Sequence, residues 1–398
     1  MSQADSNRSR REVLTAAAVS VAAGAASFVP GGKALAGLVQ NAAGQGKTLK
    51  LLILGGTGFL GPHQVNQAKD AGYELTIANR GKSNPDLFPN VELIEIDREG
   101  DLKELEQAVA DGKTWDAVID NSGYIPEHVD ATASLLKDAV KTYVFVSTIS
   151  VYGQIREMNS DESHELDTIS DEDAAKVTKI SEVGRNPQAY GPLKARCEAA
   201  AEKAMPGRVV NIRPGLIAGP GDKTDRYTYW PVRTSMAERC DGKMIVPGTK
   251  DAPQPIQIID VRDLAAFCLT ACDGVEGGAY NLVAKPEPIT NTVEAIRKSE
   301  DKSAEPVMVD GAFLTEQECA WWAELPAMVP EEGDYAGMTS VSNEKALAAG
   351  LKTRPNAETA VATLQWWKGE EQRPLRGGLS EEKEAKVLQA WADREQQG

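Results

Sequence analysis

The sequence predicts an α/β fold: a doubly wound parallel sheet with a smaller C-terminal lobe. Three observations carry that reading. An apolar run at 49–54 stops at glycines 55, 58 and 61; strand-like and helix-like stretches then alternate to 215; beyond 280 the pattern turns irregular and tryptophan-rich. Such alternation specifies parallel strands joined by helical crossovers.

The run Leu49-Lys50-Leu51-Leu52-Ile53-Leu54 reads as a strand buried on both faces. Gly55-Gly56-Thr57-Gly58-Phe59-Leu60-Gly61 then reads as a tight turn into a helix over 62–71. Glycines suit such a turn because a Cβ would keep a pyrophosphate off the backbone, while free N–H groups and the helix dipole attract the anion. The spacing G-x-x-G-x-x-G departs from the commoner G-x-G-x-x-G and works by the same mechanism. Gly72 ends the helix, and 73–79 is the second strand, closing on Asn79, Arg80 and Lys82 with no acid. An acid at that position accepts from a ribose 2′-OH, whereas an arginine accommodates a 2′-phosphate. Arg80 and Lys82 therefore favour NADP over NAD.

A third strand over 91–96 ends in Asp97-Arg98, placed to flank an adenine, and 102–109 has helical periodicity. The fourth strand, 115–119, ends in Asp120-Asn121-Ser122-Gly123-Tyr124, whose small polar residues can pass under a ribose. The fifth, 143–147, runs into Thr148-Ile149-Ser150-Val151-Tyr152-Gly153. Residues 154–188 are polar and acidic, as lids or mobile surface often are. Tyr190 and Lys194 then share one helix face, where an ammonium favours phenolate. Pro192 between them suits a helix's first turn.

A sixth strand over 209–212 closes with Arg213-Pro214-Gly215. The segment GPGDKTDRYTYW at 219–230 reads as a polyol-binding loop, with Arg226 and Trp230 joining Tyr124 as substrate contacts. Asp260 or Asp263 caps the next helix. Trp321, Trp322, Trp366 and Trp367 read as packing, and 380–396 as a charged helix whose apolar side carries Val387, Leu388 and Trp391.

A net charge of −16 argues against nucleic acid or an anionic membrane as partner, and 41% apolar with 26% charged residues places the chain among soluble globular proteins. Five cysteines without a C-x-x-C suggest buried thiols, with neither a disulfide framework nor a metal site. Ser9-Arg10-Arg11-Glu12-Val13-Leu14, an Ala-rich run to Val29, Lys33 and Ala34-Leu35-Ala36 form a twin-arginine signal pattern. The run is too Ala-rich to be a convincing membrane anchor. The expected organisation is a signal peptide over 1–36, a linker over 37–48 and a dinucleotide-binding domain over 49–215. A substrate lobe over 216–378, interleaved with late sheet elements, and a helical tail over 379–398 follow. The expected address is periplasmic or extracellular, with the export machinery as a partner.

GGTGFLG at 55–61, VSTISVYG at 146–153 and YGPLK at 190–194 together resemble the extended short-chain dehydrogenase/reductase superfamily, and within it the NAD-dependent epimerase/dehydratase group. The resemblance spans 50–284 and implies a Rossmann-like sheet with a site carried over residue by residue. Thr148, beside Ser147, would bond the substrate oxygen and Tyr190 would be the acid/base. Lys194 would hold the nicotinamide ribose and lower the tyrosine's pKa. The glycine loop would take the pyrophosphate, and Asp97 and Arg98 the adenine. Asn121, Ser122, Gly123, Ser147, Arg213 and Pro214 complete the expected cofactor contacts. The resemblance further implies NAD(P) chemistry at a secondary alcohol or ketone of a sugar-like substrate, and a homodimer. An exported enzyme has no soluble nicotinamide pool, which favours a retained cofactor and a redox-neutral cycle. The alternatives are an NADP-dependent reductase or dehydrogenase of a non-sugar carbonyl, and a non-catalytic dinucleotide-binding protein.

Overall fold

The first apolar run becomes β1 (Lys50–Leu54), an interior strand of a seven-stranded sheet. The structure is a computed structural model that describes residues 48–369 and 373–397; the expected signal segment lies outside them. β1 is flanked by β2 (Glu74–Asn79) and β4 (Ala117–Asp120), with β3 (Glu92–Glu95) beyond β2. On the other side β5 (Thr142–Val146), β6 (Val209–Pro214) and β7 (Gly278–Leu282) follow β4. All six pairings are parallel, in the order β3-β2-β1-β4-β5-β6-β7. The order reverses between β1 and β4, and open sheets of this kind bind ligands beyond the carboxyl ends at such a switch point.

Alternation along β1 builds both faces. Leu51 and Ile53 pack with α1 (Gly61–Asp70) and α5 (Val261–Cys272). Leu52 and Leu54 pack with α2 (Lys103–Ala110), α3 (Pro126–Leu136) and α4 (Pro187–Ala204). All four side chains are sealed from water, each contributing about 2 kcal/mol. Asp260 is the residue that caps α5, accepting from the Arg262 N–H.

Residues 154–186 are less irregular than the sequence suggests. Ala174, Val177 and Val183 pack against Ile125 and Leu193, so the segment folds down over the sheet's carboxyl edge. Its short helix Ile180–Val183 donates the Ile180 N–H to Glu99, 3.2 Å away.

The second lobe has its own core, including Tyr227, Trp230, Met244, Phe313 and Trp367. A parallel pair, Lys243–Pro247 with Glu305–Val309, lies beside it. The helix Glu381–Gln397 belongs to this lobe: Val387 enters the core, and Glu384 reaches Arg233 at 2.9 Å and Arg239 at 3.0 Å. Glu384 and Arg233 are both wholly buried.

Candidate active site

The glycine loop is shaped for backbone approach. Gly55 sits at φ +85°, where side-chain-bearing residues are strained. A Cβ on Gly61 would lie 2.4 Å from the Gly56 carbonyl carbon, so α1 starts hard against the turn. A Cβ on Gly58 would meet nothing within 4 Å, and Gly58 faces open space in the cleft. Phe59 and Leu60 turn away: Leu60 enters the core and Phe59 sets its ring edge-on to His63 at 6.5 Å. Those two residues can serve a ligand only through their backbone.

A cleft of about 180 Å³ runs from Gly55, Thr57 and Gly58 past the end of β2 to Asp97 and Ser122. Arg80 and Lys82 stand exposed on its rim. The Asn79 carboxamide accepts from the Gly81 N–H at 2.7 Å and so holds the turn that presents them. Ile180, from the long acidic segment, also lines the cleft. An open anion cradle with cations at the ribose end fits a dinucleotide.

Several expected cofactor residues are committed elsewhere. Arg98 lines the cleft, but its guanidinium is already engaged. It pairs with Asp120 at 2.6 Å and donates to Ser122, the His128 carbonyl and Thr132. Asp120, wholly buried, also accepts from the Tyr143 hydroxyl at 2.7 Å and the Ser122 N–H at 2.9 Å. These contacts hold its carboxyl below the usual range although burial pushes it up. Arg213 likewise turns from the cleft to Glu198, 2.6 Å away, and to the Tyr152 hydroxyl, while Pro214 is buried at the end of β6. Asn121 pairs amide to amide with Gln64. Gly123 contributes its carbonyl, because a Cβ there would strike Phe145 at 2.4 Å. Ser147 is buried, with a hydroxyl that has no partner.

Thr148, Tyr190 and Lys194 come together. The Thr148 hydroxyl caps the turn Ile149–Tyr152, accepting from the Ser150 N–H at 3.1 Å. Burial raises the pKa of the Tyr190 phenol, and the Thr148 hydroxyl pulls against that rise. Gly191 permits the meeting: a Cβ there would lie 2.0 Å from the Ser150 carbonyl oxygen. Pro192 falls inside α4 rather than in its first turn, which removes one helix hydrogen bond beside the tyrosine. The Lys194 ammonium donates to the carbonyls of Gly123 and Val146, each at 2.7 Å, and lies 4.1 Å from the Phe145 ring centre. Burial lowers its pKa to about 8. Carbonyls and an aromatic face favour its protonated form. The pull on the Tyr190 phenol comes from Thr148 first and then from Arg226.

Residues 51–282, more than half of the chain, match the NAD dependent epimerase/dehydratase family. The chain belongs to that family. It is therefore an enzyme of the NAD-dependent epimerase/dehydratase type. Its fold resembles that of Bordetella bronchiseptica WbmG, solved with NAD and UDP (TM-score 0.59, 15% identity, 85% of this chain and 100% of that one). It also resembles a UDP-glucose 4-epimerase with UDP-glucose from Thermotoga maritima (TM-score 0.56, 16% identity, 81% and 99%). A UDP-Glc/GlcNAc 4-epimerase from Campylobacter jejuni matches similarly (TM-score 0.56, 15% identity, 81% and 100%). No curated protein sequence matches the chain.

On the substrate side of this epimerase/dehydratase, the Tyr124 and Tyr190 ring centres stand 6.4 Å apart. The Arg226 charge acts on the Tyr190 phenol. Trp230 does not: it is wholly buried in the second lobe and its indole donates to the Pro326 carbonyl at 2.7 Å. The sequence reading missed Ile180 in the cleft wall and Asp120 as the anchor beneath it. Asp120 had a signal, an acid ending a buried strand; Ile180 had none, because its contact is tertiary.

Proposed function

We propose that this enzyme oxidises and re-reduces one secondary alcohol carbon of a sugar-like substrate without net redox change. The observation that supports this best is the trio itself: Tyr190 set on a helix that packs at Gly191 against the turn Thr148 caps, with a carbonyl-anchored ammonium on the same helix. NAD(P), when bound, takes and returns the hydride. Tyr190 accepts the alcohol proton and gives it back, Thr148 holds the substrate oxygen, and Lys194 presents fixed positive charge on the side of the ribose. Arg80 and Lys82, with no acid beside them, support NADP over NAD. Ile180, held by Glu99 across the cleft, supports a cofactor that stays between turnovers. Export by the twin-arginine route, read from 9–14, supplies the reason to retain it. A homodimer belongs to the same proposal.

The test is to purify the protein, denature it and identify the released nucleotide by mass. Stoichiometric NADP is expected, and Tyr190→Phe should lower turnover by roughly 10²- to 10⁴-fold. A protein that releases no nucleotide and needs fresh cofactor for each turnover would sink the redox-neutral reading.

A further inference from the structure

Residues 154–186 are tied down at both ends and lightly held between. At the start they run along the second lobe. There the Gly337 N–H donates to the Ile155 carbonyl at 2.9 Å, the Asn159 N–H to the Ser340 carbonyl at 2.8 Å, and Arg156 pairs with Asp334 at 2.7 Å. At the end they run straight into α4, which carries Tyr190. Within 170–186 only the side chains of Ala174, Val177 and Val183 are buried. A stretch with so little buried apolar surface can open without disturbing the sheet beneath it.

That stretch also walls the cofactor cleft. Ile180 lines the cleft together with Ile96, Asp97 and Ser122. Standing first in a short helix, its N–H has no intrahelical partner by geometry. The N–H groups of Thr178 and Lys179 take the Glu182 carboxylate, but the Ile180 N–H donates to Glu99 at 3.2 Å, a residue 81 positions earlier. Glu99 is set by a tight turn that grows out of the cleft wall: the Asp101 N–H donates to the Asp97 carbonyl at 2.7 Å and the Glu99 N–H to the Asp97 carboxylate at 3.1 Å. The bond therefore fixes Ile180 at the Asp97 end of the cleft, where an adenine is expected. The apolar cluster that seats Val177 and Val183 also takes in the rings of Tyr124 and Tyr190.

We propose that 170–186 is a gate on cofactor exchange. Ile180 covers the adenosine of NAD(P), the Glu99 hydrogen bond holds the gate shut, and the stretch must lift from Ile125 and Leu193 before cofactor is exchanged. The proposal rests on the retained-cofactor reading above and supplies the means of retention. Lifting also withdraws packing from Tyr190, so an enzyme open for exchange is one whose acid/base is unseated. Segments that close in this way act on the rate of release.

In the full-length protein, release of NADH and of NADPH is followed in stopped flow as loss of nicotinamide fluorescence when excess oxidised cofactor displaces it. Ile180→Ala should speed release of both roughly 5- to 30-fold and Glu99→Ala roughly 3- to 10-fold, the losses expected of one apolar side chain and one hydrogen bond. Affinity for reduced nicotinamide mononucleotide, which has no adenosine, should stay as in the parent. Trypsin gives a readout that needs no turnover. Cutting after Lys176, Lys179 and Arg185, all exposed, should slow by about 10-fold or more once NADH or NADPH is bound. Release at the parent's rate in both variants, equal weakening of the mononucleotide, or cutting that ignores bound cofactor overturns the gate. A parent protein that carries no nucleotide from purification overturns retention alone, and the release rates with added cofactor still decide the gate.

Discussion

Replacing Arg98 with Met should cost this protein about 3 kcal/mol and reverse the direction of its acid response. Methionine fills the stem of the side chain but removes four hydrogen bonds and the charge facing Asp120 at 2.6 Å. Breaking a buried ion pair from one side costs about 3–5 kcal/mol, because the other charge remains buried. Tyr143 and the Ser122 N–H still hold Asp120, which puts the expected loss at the lower end. In the parent protein the Asp120 pKa is depressed. Its contribution is thus complete above the unfolded value of about 3.9 and is lost as pH falls below that. Without Arg98, burial dominates and the pKa rises above the unfolded value, so stability falls as pH rises through that window. In urea unfolding between about pH 7 and about pH 5, the variant should gain stability relative to the parent on acidification. Adding Asp120→Asn should recover much of the loss, giving a coupling of at least about 1 kcal/mol in the double-mutant cycle. A loss below about 1 kcal/mol with no pH response would refute a buried, charge-stabilised floor to the cleft.

Gly191→Ala places a carbon 2.0 Å from the Ser150 carbonyl oxygen, so Tyr190 must move off Thr148. Turnover should fall by roughly 10²-fold, with cofactor affinity nearly unchanged by fluorescence titration. The Lys194 pKa of about 8 lies below its unfolded value of about 10.4. The burial cost is therefore complete below about 8 and is relieved as pH rises from about 8 to about 10.4, so urea stability should rise across that window and cease to do so in Lys194→Met. Over the same range kcat/KM should fall as the ammonium is lost. Glu384→Gln leaves Arg233 and Arg239 facing a neutral amide and should cost about 3 kcal/mol, read as earlier loss of the second lobe's tryptophan fluorescence in urea.

The sheet was legible because its evidence is local. Each strand is a short apolar run ending at glycine or polar residues, and β1 needs no tertiary knowledge to be read as buried on both faces. The trio was legible for the same reason, since Tyr190 and Lys194 are one helix turn apart. Side-chain destinations were not. Arg98, Arg213 and Trp230 look from the sequence like residues offered to a ligand, but each finds an acceptor far along the chain: Asp120, Glu198 and the Pro326 carbonyl. A cation's sequence neighbours do not say whether a carboxylate will arrive from elsewhere. Burial also set the electrostatics that spacing could not: Tyr190 is held up by desolvation and drawn down chiefly by Thr148.

The contact between Arg233 and Glu384 joins residues 151 positions apart. Until Glu384 is in place, Arg233 has no carboxylate in a position that excludes water, and the core around Tyr229 and Trp230 cannot close without stranding a charge. The seven-stranded sheet draws all its strands from sequence before residue 283, although Arg354 and Thr359 arrive late to pair the acids that begin α5. Assembly is therefore expected to be sequential, with a structured first lobe waiting on an unfinished second, and long-range closure of this kind is slow. The helix Glu381–Gln397 acts as a latch: the second lobe closes only when this distant segment has docked.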